Sequence, residues 1–180
     1  FTESSALSGS TVGGVVGTNR GYIDKCTVNS TNENFAISGN SIGGIAGNSR
    51  GTITNCFVNM RFNGEDEVGG IVGSASYVRI EGCSYEGQIF GSEKLGGIAG
   101  SISLDSYIIS CKSDASIEGD DIIGGIAGNT KYIINITACY TEGEIICDNP
   151  SATFLTGIAG GYLYYNDYLY CKYSYSTVQC

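Results

Sequence analysis

After each of four cysteines, apolar or small side chains occupy every second position: Cys56, Val58, Met60 and Phe62; Cys83, Tyr85, Gly87 and Ile89; Cys111, Ser113, Ala115 and Ile117; Cys139, Thr141, Gly143 and Ile145. A period of two sustained in this way predicts a strand buried on one face. An apolar residue stands three places ahead of each cysteine: Ile23 before Cys26, Ile53 before Cys56, Ile80 before Cys83, Ile108 before Cys111, Ile136 before Cys139 and Tyr168 before Cys171. Residues three apart point to opposite faces of a straight strand, so burying both requires a bend between them. The corner of a coil supplies one.

Between these segments a glycine-rich word recurs six times: Val12 to Gly17, Ile42 to Gly47, Val68 to Gly73, Leu95 to Gly100, Ile123 to Gly128 and Leu155 to Gly160. Its copies begin 30, 26, 27, 28 and 32 residues apart. A period in that range marks a solenoid, whose units bury their apolar faces only by stacking on one another. The pattern predicts an all-β, parallel β-solenoid of about six rungs, forming one domain over residues 1–180. Each rung carries three short strands: the glycine word, the Ile-x-x-Cys segment and the segment after the cysteine. At about 4.8 Å per rung the prism stands roughly 25 to 30 Å tall. Like residues then form columns: Val15, Ile45, Ile71, Ile98, Ile126 and Ile158 in one, and Cys26, Cys56, Cys83, Cys111, Cys139 and Cys171 in another. Glycines at 9, 39, 64, 91 and 119 precede the words and are expected to turn the chain with a positive φ.

Composition narrows the function classes. The net charge is −9 with only nine Lys and Arg, so no basic face for nucleic acid is expected. No apolar run approaches the roughly 20 residues of a membrane-crossing helix, and membrane insertion is not expected. Histidine is absent, which excludes a His-Glu-x-x-His metallopeptidase and any histidine-assisted serine or cysteine nucleophile.

The word Gly-Gly-[Ile/Val]-[Ala/Val]-Gly-Asn, followed some ten residues later by an isoleucine, resembles the GLUG repeat of bacterial surface proteins. That repeat occurs in large adhesin-like proteins and in a region of some IgA-cleaving metallopeptidases. Gly43 to Asn48, followed by Ser49-Arg50-Gly51-Thr52-Ile53, is the nearest copy, and the regular cysteine departs from the pattern. The resemblance implies an extracellular β-solenoid and brings no catalytic residue with it.

Four groups of residues remain as candidate sites. Glu65, Asp66, Glu67, Glu93, Asp120 and Asp121 gather at the corner before the glycine word, where stacked carboxylates suit Ca²⁺; a solvated turn is the preferred reading, and no metal or cofactor is expected. The six column cysteines lack Cys-x-x-Cys pairing and read as small core residues, whereas Cys147 and Cys180, eight and nine residues after Cys139 and Cys171, are expected to join as a disulfide on the last two rungs. Asn29 and Asn135 begin glycosylation sequons. Tyr162, Tyr164, Tyr165, Tyr168, Tyr170, Tyr173 and Tyr175 crowd the last unit, where they either cap the core or form an interaction surface.

The expectation from these features is a non-catalytic structural or adhesive module, extracellular or on a cell surface. Its partners are further copies of itself joined head to tail into filaments, or other surface proteins and glycans. Residues 1–12 parallel the end of a preceding unit and the chain also ends in mid-coil, so one end is expected to complete the other. Two alternatives carry different chemistry: a carbohydrate-binding or carbohydrate-cleaving β-helix, which wants an acidic groove flanked by tyrosines, and an ice-binding solenoid, which wants regular threonine columns.

Overall fold

A computed structural model describes residues 7–30, 36–161, 168–172 and 174–177. It is a parallel β-solenoid with three sheets and, among the described residues, no helix. The first sheet has twelve strands in two strips. One strip stacks the segments after the cysteines, Thr27–Asn29, Phe57–Gly64, Ser84–Phe90, Lys112–Glu118, Tyr140–Ile146 and Tyr175–Ser176. The other stacks the segments leading into the glycine words, Leu7–Gly13, Ala36–Gly43, Val68–Gly69, Glu93–Gly96, Asp121–Gly124 and Leu155–Thr156. The strips meet at Ala36–Gly43, which pairs with Arg61 to Gly64 through its first half and with Val68 and Gly69 through its second.

The second sheet stacks Val16–Asn19, Ala46–Ser49, Val72–Ser76, Ala99–Ser103, Ala127–Lys131 and Ala159–Gly160. The third stacks Tyr22–Asp24, Thr52–Thr54, Arg79–Glu81, Ser106–Ile109, Ile133–Thr137 and Tyr168–Lys172. With six strands in each, the chain makes about five turns between the first and the last. Pairing is in register, so like residues lie over like: Val72 over Ala46 and under Ala99, Ile80 between Ile53 and Ile108.

The glycine word is a corner and not a strand, which corrects the sequence expectation. The chain bends at its centre, at Gly44-Ile45, Gly70-Ile71, Gly97-Ile98 and Gly125-Ile126, so the word's first half closes the first sheet and its second half opens the second. Each glycine has a steric reason. A Cβ on the first, at Gly43, Gly69, Gly96 or Gly124, would lie closer than 3.0 Å to the carbonyl oxygen three residues on. On the second, at Gly70, it would meet the ring of Tyr85 and the carbonyl of Gly97, and on the third, at Gly73, the backbone of Ile42 and Glu67. The tight turn leaves room for Ile45, Ile71, Ile98 and Ile126, all fully buried, each contributing on the order of 1.5–3 kcal/mol.

The expected bend between Ile and Cys is present, and it sits on the residue before each cysteine. Lys25, Asn55, Gly82, Ser110 and Ala138 have φ of 54°, 52°, 62°, 51° and 54°. A left-handed conformation costs a residue with a Cβ about 1–2 kcal/mol, yet four of the five carry one; the stacked sheets on either side hold the turn. A second left-handed corner falls at Glu67, Lys94 and Ile122. The sequence reading gave this role to the glycines at 64, 91 and 119, with 9 and 39 equivalent, but none of them has a positive φ. Three of these glycines make space instead: a Cβ on Gly64, Gly91 or Gly119 would press within 3.0 Å on the side chain of Val68 or Leu95.

Candidate functional site

Five of the predicted cysteines form a column. Register along the flanking strands places Cys26, Cys56, Cys83, Cys111 and Cys139 over one another. Cys56, Cys83, Cys111 and Cys139 are at most 2% exposed. Each thiol in the column points at the carbonyl two residues back: Cys26 to Asp24 at 3.7 Å, Cys56 to Thr54 at 3.1 Å, Cys83 to Glu81 at 3.5 Å, Cys111 to Ile109 at 3.3 Å and Cys139 to Thr137 at 3.4 Å. A carbonyl acceptor favours the protonated thiol, and burial pushes the Cys111 thiol well above its ordinary pKa. Neighbouring thiols act on one another as well, Cys111 holding Cys83 and Cys139 below their ordinary pKa, so the column is a row of small, polarizable, mutually bonded side chains.

Cys171 leaves the column. It pairs over Ile136, with Leu169 over Ile134 and Tyr170 over Asn135, and its side chain is exposed. Register places Tyr170 three residues ahead of the bend at Ala138, so the last unit is shifted by three residues and its cysteine stands in the isoleucine ladder of the third sheet. Ser174 takes the place above Cys139 and its hydroxyl accepts the Cys139 N–H at 3.1 Å.

The seven described cysteines carry no disulfide. Cys147 is half-buried, its thiol 3.4 Å from the Asp120 carbonyl; its expected partner Cys180 lies outside the described residues. Of the two sequons, Asn29 is exposed at the end of a strand. Asn135 is half-buried in the middle of one, between Tyr107 and Tyr170.

The acidic corner is compensated in part, by one lysine. Lys94 reaches both carboxylate oxygens of Asp66 at 3.0 Å; burial works against its charge, but Asp66 outweighs that and holds its pKa above the ordinary value. Asp121 accepts from the Thr153 N–H at 2.6 Å and from the Ile122 N–H at 2.9 Å. Nearby, a cleft of about 170 Å³ opens between Phe90, Gly91, Glu118, Gly119, Asp120 and Asp148. No three His, Cys, Asp or Glu among the described residues are grouped to hold a metal ion.

The tyrosines divide. Tyr168 and Tyr170 project from the outer face of the third sheet, 53% and 54% exposed, their rings 6.3 Å apart and within 12° of parallel. Tyr175 lies on the first sheet against Tyr140. Tyr162, Tyr164, Tyr165 and Tyr173 lie outside the described residues. The three described rings therefore face outward and do not cap the core; Leu169, between two of them, packs inward instead. Sequence reading missed three earlier tyrosines that join the same side, Tyr77, Tyr107 and Tyr132. Their signal was spacing: they fall 30 and 25 residues apart, close to the repeat period.

Comparison with family models, with curated proteins and with solved structures finds no match to this chain.

Proposed function

We propose that the chain is a non-catalytic extracellular module with a structural and adhesive role, of the kind the GLUG-like words suggest, and that it associates end to end. The observation that carries this reading is the in-register stacking itself, which builds a rod whose interior repeats one set of side chains every rung and whose outer faces are free to differ. Interior space goes to stacked Ile, Val, Cys and Phe, and the polar corners are bonded among themselves. Such a rod spaces and presents surfaces. End-to-end association fits the outermost rungs, where Val15 is 46% and Leu155 39% exposed although the in-register Ile45 and Ile123 are fully buried. Stacking another rung on either end would cover these side chains and pair the open strand edges.

Light scattering over a concentration series, with electron microscopy of the same samples, tests the association. Wild type is expected to form linear assemblies with the cross-section of one solenoid. Lysine at both Val15 and Leu155 is expected to leave monomers with an unchanged β-sheet spectrum. A wild-type chain that stays monomeric at high concentration overturns the self-association.

A further inference from the structure

The outer face of the third sheet changes character half-way along. On its first three strands the outward residues bond one another: the Thr54 hydroxyl donates to Asp24 at 2.7 Å and lies 2.9 Å from the Tyr22 hydroxyl, and Arg79 pairs with Glu81 at 2.8 Å. On the last three strands the face turns aromatic and apolar. Tyr107, Asn135 and Tyr170 form one ladder, and Ile133 stands beside Tyr168 in the next. These residues are not turned away from water: Tyr107 is 37%, Ile133 42%, Tyr168 53% and Tyr170 54% exposed.

The adjoining corner repeats the theme under strain. Register puts Tyr77, Leu104 and Tyr132 over one another, all three left-handed, with φ of 51°, 57° and 66°. Glycine or asparagine adopts that conformation readily, whereas an aromatic residue is disfavoured there. Tyr77 and Tyr132 are 62% and 50% exposed, so burial does not compensate. The stacked sheets hold this corner left-handed as they hold the others, but they do not call for an exposed aromatic ring there.

We propose that this face, centred on Tyr107, Asn135 and Tyr170 and edged by Tyr132 and Tyr168, binds a neutral oligosaccharide and is the adhesive surface of the module. The inference rests on the adhesive reading above and gives it a ligand class. Phenol rings offer flat apolar faces for the C–H faces of pyranose rings, while their hydroxyls and the Asn135 amide meet sugar hydroxyls. Tyr107 and Tyr170 are two rungs apart, about 10 Å, with the amide between them. Strand pairing fixes that spacing before any ligand arrives, and the Tyr107 hydroxyl is further held by Asp105 at 3.2 Å. Charge favours a neutral sugar over an acidic one: the chain carries −9, Asp105 lies beside the strip, and Arg79 at one end of it is paired with Glu81; Lys172 stands at the other end, and the sulfated probe below tests its pull. A protein-docking patch is apolar at its centre, but here the centre is an amide.

The test is calorimetric titration and immobilised-glycan binding with neutral hexasaccharides of glucose, N-acetylglucosamine, xylose and mannose, with a sulfated hexasaccharide alongside. At least one neutral probe is expected to bind with submillimolar affinity. Tyr107→Ala and Tyr170→Ala should each weaken it tenfold or more, and Tyr22→Ala, on the polar half of the same sheet, should leave it unchanged. All three side chains are exposed; circular dichroism checks that each variant folds. The proposal is overturned if no neutral probe binds, if the sulfated probe alone binds, if the three variants behave alike, or if the tyrosine substitutions abolish binding of a protein partner and of no sugar. Scattering on the same samples separates the two readings: lost sugar binding with intact assembly sinks the platform alone, and sugar binding by a monomer sinks the self-association alone.

Discussion

The fifth glycine corner and the sixth differ by one residue with large local consequences. At Gly124 to Gly128 the chain turns tightly, Ile126 is fully buried, and the strand beyond pairs with its neighbours on both sides. At the sixth, Thr156 stands where the other corners have glycine. A Cβ at Gly124 would fall within 3.0 Å of the Ala127 carbonyl, so the sixth corner has to open to admit the threonine. Its marks are that pairing slips between Ala127 and Asn129 and that the Thr156 hydroxyl is buried without a hydrogen-bond partner among the described residues; the exposure of Leu155, like that of Val15 on the first rung, comes from its place at the end of the stack. The glycines are thus a steric condition for closing the turn, and conformational freedom is not their role, since none of the paired glycines has a positive φ.

The sharpest way to break this comparison is to fill an interior corner. Valine at Gly70 would drive its side chain into the Tyr85 ring and the Gly97 carbonyl, and a loss above about 4 kcal/mol is expected, as for other severe overpacking. Urea denaturation followed by circular dichroism measures it. The converse change, Thr156→Gly, should tighten the sixth corner and raise hydrogen-exchange protection over residues 155–160. A Gly70→Val protein of near wild-type stability would refute the steric account.

The cysteines repeat the contrast. Cys111→Ser exchanges a buried thiol for a more strongly solvated hydroxyl and is expected to cost about 1–3 kcal/mol; Cys171→Ser, on an exposed side chain, should stay within about 0.5 kcal/mol. Alkylation without denaturant should label Cys171 and spare Cys111. Equal labelling of the two would mean that the column is open to solvent.

Much of this was legible beforehand, and the limits have physical causes. Period two gave the strands after each cysteine, and the three-residue offset between Ile53 and Cys56 gave a bend that the structure places at Asn55. The glycine word was misread because a buried apolar run looks the same in a strand and in a corner; only the approach of Val72, Ala99 and their neighbours makes glycine obligatory. Cys171 matched its column by spacing, but strand pairing shifts the last unit by three residues, so Cys171 falls on the Ile136 ladder and Ser174 takes the place over Cys139. The aromatic face was half seen, through Tyr168 and Tyr170; its other members lie a full repeat away, and only register brings them alongside.

Two smaller changes sharpen the account of the interior. The Ser113 hydroxyl is buried with no partner among the described residues, so Ser113→Ala is expected to stabilise by about 1 kcal/mol through loss of an unsatisfied group. Ala138 carries a Cβ in a left-handed conformation that Gly82 adopts on another rung without one. Ala138→Gly should gain about 0.5–1 kcal/mol, the relief of that strain less the added entropy of the unfolded chain. Destabilisation by both would show that these columns are packed differently from the geometry described.

The smallest effect expected is on acid stability, and it tests whether the end rungs are held by surface charge as the interior is held by packing. Three carboxylates lie below their ordinary pKa. Asp24 is lowered by the Asn55 amide and then the Thr54 hydroxyl, and Glu142 by Lys112 and then Tyr140. At Asp121 burial pulls the other way, but bonds from Thr153 and the Ile122 N–H prevail. A carboxyl group lowered in the folded state contributes stability that is complete above its unfolded pKa, about 4, and is lost as pH falls through the folded value. All three are half-buried at the surface and still reached by solvent, so each contribution is small. Melting temperature should therefore be flat from pH 7 down to about 5 and decline only below about 4, with Thr153→Val removing part of the decline by taking away the hydroxyl bond to Asp121. A fall beginning near pH 6 would refute this account, because it needs a group that takes up its proton near pH 6 in the unfolded state and not in the folded one; the chain has no histidine, and a carboxylate raised by burial would gain stability as pH falls.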